Sequence, residues 1–227
     1  MLDRLSEWFD LVFGYLIKQP GRVLELTWDH IQLVGIAVGI AAVIGIPVGI
    51  LISRVKVLQL PVLNVSGMLY TIPSLAFFAI LIPYTGIGKT TAITALVMYS
   101  LLAIIRNTYV GMDEVDKNIK DAADGIGMSR IQRLRYVELP LALPYILTGL
   151  RIATVAAIGI AVIAAVIGGG GLGRLIFDGI RSPNMRDRVF AGAIMSIVLA
   201  LVADYLIGRL VLLFRRDMRP SAMEGSR

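Results

Sequence analysis

Residues 31–53 read "IQLVGIAVGIAAVIGIPVGILIS", 23 positions without a charge. As a helix rising 1.5 Å per residue, that run crosses a hydrocarbon core of about 30 Å. Arg54 and Lys56 close it. The whole chain has the same character: of 227 residues 57% are hydrophobic and 17% charged, with a mean hydropathy of +0.79. Soluble domains of this length carry more charge, so the chain is read as an all-α integral membrane protein. Cysteine is absent, which excludes disulfides and thiolate metal sites, and the single His30 cannot assemble a histidine cluster. Neither a metal nor a cofactor is expected.

Four more apolar stretches follow. Residues 57–84 are uncharged but interrupted by Pro61, Pro73 and Pro83, which predicts a broken span. Further spans are expected over about 87–105, 144–167 and 189–214, five in all. Before them, residues 1–30 read as an interfacial segment, with Leu5, Trp8, Phe9, Val12 and Leu16 on one helical face. Residues 215–227 read as a cytoplasmic tail. Basic residues set the orientation. With the stretch from Arg106 to Arg151 inside, that side holds 14 Lys and Arg against 8 outside, which predicts N-terminus out and C-terminus in. These charges are dispersed along membrane boundaries and form no single patch, so nucleic acid is not an expected partner and membrane lipid is.

Two stretches imitate nucleotide sites. "TGIGKTT", Thr85 to Thr91, looks like a P-loop, but the position six before Lys89 is Pro83, where that loop needs its first glycine. Proline has no amide hydrogen and a fixed φ, so it spoils a nest of backbone donors. "GGGGLG", Gly168 to Gly173, fits a dinucleotide fingerprint, yet it follows a membrane-length run and not a short strand. It reads as a flexible joint or a close-packing site. The run ending in Asp204, "SIVLALVAD", imitates an ATPase acidic strand and fails for the same reason.

The long loop carries the most specific pattern. Asp116 can cap a short helix whose Val115, Ile119, Ala122, Ala123 and Ile126 share a face, with Gly125 and Gly127 available to end it. Ser129 and Gln132 form a capping box for a second short helix, which Pro140 and Pro144 are expected to end before the fourth span. Across this loop runs "DAADGIGMSRIQRLRYVELP". It resembles the signature of bacterial binding-protein-dependent ABC importer permeases: E-A-A, three residues, Gly, nine residues, Ile, one residue, Leu-Pro. Asp121, Ala122, Ala123, Gly127, Val137, Leu139 and Pro140 fall in register, with Asp for Glu and Val for Ile as the departures. "TIPSLAFFAILIP", "GIGK", "RNTYVGM" and "AAVIGGGGLG" are similar to the permeases that import glycine betaine, carnitine, choline or proline as osmoprotectants.

That resemblance implies a type I importer fold of the MetI-like kind with a cytoplasmic coupling helix, located in the bacterial inner membrane. The implied partners are two cytosolic ABC ATPase subunits, a second permease copy or paralogue, and an extracytoplasmic substrate-binding protein. The surface around Ala122 and Ala123 would seat in an ATPase groove, and ATP hydrolysis would belong to that partner. Two other classes stay open: a permease for another small substrate such as an amino acid, and a secondary carrier working without ATP. Carriers keep ionisable residues in their spans, and only Arg151, Asp204 and Arg209 qualify here. Arg151 and Asp204 lie at similar depth and are expected to pair. In the second span Asn64, Gly67, Thr71 and Ser74 recur as a small and polar stripe, interrupted by Pro73. Such a face packs on a helix or lines a passage, and Tyr70, Phe77, Phe78 and Tyr84 either face a quaternary ammonium or serve as core and interface anchors.

Overall fold

The computed structural model describes residues 11–216, and all their regular structure is helical. Leu5, Trp8, Phe9 and residues 217–227 lie outside them. Residues 11–18 form a short helix ending at Gln19, and Pro20 opens α1 (Pro20–Arg54). Proline suits a first helical position because the amide it lacks would have no helical partner there. Residues 20–30 thus belong to the same rod as the uncharged run, ahead of its expected start. α2 (Lys56–Thr71) and α3 (Ser74–Thr85) meet at 102° around Ile72 and Pro73, the expected break. α4 (Lys89–Asp113) leads to the short α5 (Lys117–Gly125). α6 (Leu139–Ala164) is followed by α7 (Gly173–Arg181) and α8 (Arg186–Arg216).

One expectation fails instructively. Pro140 and Pro144 do not end the helix begun at Arg130: Arg130–Arg133, a π-helical turn Leu134–Glu138 and α6 form one continuous rod. In the widened turn Leu139 donates its amide to the Leu134 carbonyl. That turn moves the backbone out of the ordinary four-residue ladder just where the Pro140 ring would collide with it. The rod continues to Ile167 without a break.

Four helices are long and apolar enough to cross a membrane, and the bent α2–α3 pair makes a fifth crossing if taken as one span. α1, α4 and α6 pack side by side, with α8 on the far side of α6. Small residues set the spacing. A Cβ on Gly49 of α1 would lie 2.6 Å from Thr108 Cβ of α4, and one on Gly149 of α6 would lie 2.9 Å from the Ala103 carbonyl. Among lipid tails the hydrophobic effect does not favour helix association, so backbone-to-backbone approach supplies it through dispersion. The largest core joins Leu33 and Val34 of α1, Phe77 and Phe78 of α3, Leu96 and Tyr99 of α4, and Ala157 and Ala161 of α6.

Candidate functional site

The first part of the loop signature, Asp121 to Ala123, lies on a helix closed at both ends. Asp116 caps α5 by accepting the Asn118 amide at 2.7 Å. At the other end Gly127 N–H bonds the Asp124 carbonyl at 3.0 Å and Met128 N–H bonds Ala123 at 3.1 Å, with Gly127 at φ +82°. This Schellman turn requires a left-handed residue, which a side chain with Cβ resists. The Ser129–Gln132 capping box then starts the next helix. α5 divides its apolar residues between two sides. Val115 and Ala123 are buried in their own chain, whereas Asp121, Ala122, Ile119 and Ile126 are exposed, Ile126 to 76%. Of the two alanines only Ala122 faces outward. Further along the motif, Val137 and Leu139 are half-buried and Pro140 is exposed. Leu139 packs on Met112, Ala142 and Ile146.

What fastens α5 to the spans is a chain of charges. Arg133 reaches both Asp124 on α5 and Glu138 in the π-turn, the latter at 2.9 Å, and Arg54 at the end of α1 also pairs with Glu138. Glu138 is fully buried. A buried carboxylate without donors would cost several kcal/mol, so its two guanidinium partners are structurally required. Lys120 adds a bond to the Met112 carbonyl at the end of α4, 3.2 Å long. Sequence reading passed over Glu138 although it sits between two motif positions; the signal was a lone acid inside "YVELPLALPY".

Elsewhere the expected residues separate. Asn64, Tyr70, Thr71 and Pro73 are exposed on α2 and its bend, and Ser74 is half-buried; Ser66 is the buried polar residue of that helix. The Tyr99 hydroxyl bonds the Ile72 carbonyl at the bend, and its ring meets Tyr70 and Phe77 edge-on at 6.1 and 5.4 Å. Arg151 on α6 and Asp204 on α8 form a two-pronged ion pair, both bonds 2.6 Å. Each side chain is still about two-fifths exposed.

Neither nucleotide-like stretch forms a phosphate cradle. "TGIGKTT" is the turn between α3 and α4, where Lys89 pairs with Asp29 of α1 at 3.3 Å. The glycine run is a close-packed strap and not a loose joint. His30 accepts the Leu172 amide on Nδ1 at 3.3 Å, and its Nε2 donates to the Ile158 carbonyl at 3.1 Å. That pairing fixes one neutral tautomer in a fully buried ring. His30 was set aside in the sequence as too solitary for metal chemistry; its role is to join α1, α6 and the strap.

Four or five membrane-length helices, with a short helix tethered to them by charges, define a membrane-embedded protein. Two solved structures share the fold. An inward-facing MetNI methionine ABC transporter chain matches at TM-score 0.75 and 21% identity, covering 86% of this chain and 98% of that one. A chain from an amino acid ABC transporter crystallised with histidines gives 0.69 and 23%, covering 91% and 98%. Residues 41–216 match the family of binding-protein-dependent transport system inner membrane components, and the chain belongs to that family. It is 47% identical to the osmoprotectant import permease protein OsmW of Salmonella typhimurium over 86% of this chain and 93% of that protein. The choline transport system permease protein OpuBB of Bacillus subtilis is 38% identical, over 94% and 96%.

Proposed function

We propose that this chain is the membrane-spanning subunit of an ATP-driven importer of osmoprotectants, the class that includes glycine betaine, carnitine and choline. The observation that carries this reading is α5. It presents Ile119, Ala122 and Ile126 outward while the Asp124–Arg133–Glu138–Arg54 chain ties it to α1 and α6. A lever of this kind transmits the closure of a partner ATPase only if it is stiff and anchored. Similarity along nearly the whole chain to osmoprotectant and choline permeases supports the substrate class. On this reading two cytosolic ATPase subunits hydrolyse ATP, a second permease copy or paralogue completes the passage, and a binding protein delivers substrate from outside. The N-terminus lies out and the C-terminus in, as the basic-residue asymmetry indicates.

The test is uptake of labelled glycine betaine into proteoliposomes carrying the assembled complex. Uptake should require ATP and binding protein together. Ala122→Arg should assemble in the membrane and lose uptake more than tenfold, because a bulky cation sits where the partner must approach. Ala123→Arg is the poorer test, since Ala123 is buried in its own chain. Uptake that continues without ATP would favour a secondary carrier and overturn the assignment.

A further inference from the structure

A cavity of about 370 Å³ opens between α2, α4 and α6, and Tyr70, Tyr99, Arg106, Asn107, Ile152 and Ala156 line it. On α4, Tyr99, Leu102, Ala103 and Arg106 recur at i, i+3, i+4 and i+7, so this helix turns one continuous face to the cavity. Arg106 has no ion-pair or hydrogen-bond partner among the described residues. It lies seven residues before the end of α4, about 10 Å along the helix. Its side chain is exposed, so the guanidinium is open to a ligand in the cavity. The adjoining cavity shares Ile152 and Ala156 and holds Arg151 and Asp204. Arg106 and the Arg151–Asp204 pair thus line neighbouring cavities.

The two ends of the cavity differ in chemistry. At the Tyr70 and Tyr99 end the exposed Tyr70 ring stands edge-on to the buried Tyr99 ring, and a quaternary ammonium, having no N–H to donate, is held mainly by an aromatic face and apolar contact. At the other end Arg106 offers parallel N–H donors that match a carboxylate, with the Asn107 side chain beside it. Tyr99 and Arg106 are two helical turns apart, and the long arginine side chain covers part of that gap. We propose that this cavity is a way-station for zwitterionic quaternary ammonium compounds, taking the ammonium against Tyr70 and Tyr99 and the carboxylate on Arg106. Choline, which has the ammonium and no carboxylate, is the weaker ligand. The proposal rests on the osmoprotectant reading and adds a selectivity step inside the membrane, after the binding protein has let go.

The experiment uses the assembled complex in lipid nanodiscs without binding protein or ATP, and titrates glycine betaine and choline by saturation transfer to their N-methyl protons. Wild type should bind glycine betaine about tenfold more tightly than choline, the ratio expected of one charge-assisted hydrogen-bonded pair. Arg106→Gln should abolish that preference by weakening glycine betaine alone, Arg106→Lys should keep part of it, and Tyr70→Leu should weaken both ligands. Absent binding of glycine betaine, equal wild-type affinities, or a preference that survives Arg106→Gln would each overturn the site. Each ligand serves as the control for the other, so a poorly assembled variant cannot imitate the result, and the wild-type ratio decides alone if a variant does not assemble. Since no uptake is measured, the outcome is separate from the ATP-dependence test above.

Discussion

The two ends of the bundle are fastened by different physics. At the glycine-run end, α1, α6 and the strap are joined by a neutral histidine with both ring nitrogens bonded and by backbone so close that side chains have no room. At the coupling end, α1, α5 and α6 are joined by alternating charges around a buried carboxylate. Close packing is short-ranged and has one solution, so it suits a part that holds shape. Ion pairs keep their attraction over several ångströms, which lets α5 shift against the spans without detaching. On the proposed reading the first end is the frame and the second the joint, at which α5 acts on the spans as one stiff piece.

Four substitutions separate these ends. Gly173→Ala should do most damage, about 3 kcal/mol, because its Cβ would run into the Val162 carbonyl and come within 2.8 Å of the Ala165 methyl. A collapse of the folded peak in size-exclusion chromatography checks it, and a well-folded Gly173→Ala would remove the frame from the comparison. Glu138→Leu comes next at roughly 2 kcal/mol: it leaves Arg54 unpaired and Arg133 with Asp124 alone, but both arginines retain some access to water. Here the thermal midpoint should fall and the coupling between ATP hydrolysis and uptake should loosen; a lower midpoint with intact coupling would make the charge chain merely structural. Asp124→Asn should cost under about 1 kcal/mol, since that carboxylate is half-exposed, and the difference from wild type should fade in high salt. Smallest is Lys89→Ala. Its pair with Asp29 is exposed and contributes about 0.5 kcal/mol or less. ATP hydrolysis by the complex should stay unchanged, and lost nucleotide binding in that variant would restore the P-loop reading of "TGIGKTT".

Much of this was legible in order of sequence because it depends on neighbours in the chain. The spans follow from runs of uncharged residues, the bend from Pro73, and the ends of α5 from Asp116 and Gly127, each through local geometry. The Arg130 rod was misjudged because a proline's effect depends on the hydrogen-bond ladder around it, and no local pattern announced the π-turn at Leu134–Glu138. Similarly, helical spacing placed Ala122 and Ala123 together, but only the packing of α5 decided that one is buried and the other exposed.

By itself, then, the sequence determined membrane residence, helical content, the main apolar runs and the family signature in the long loop, since bilayer thickness and helix pitch act on consecutive residues. Tertiary structure alone decided the contacts between residues far apart in the chain. It brought His30 to Leu172, Arg54 to Glu138 and Tyr70 to the α4 face that carries Tyr99 and Arg106. Those meetings depend on which helix faces which, and that is set by the close approach at glycines such as Gly49 and Gly149, whose partners no spacing rule names.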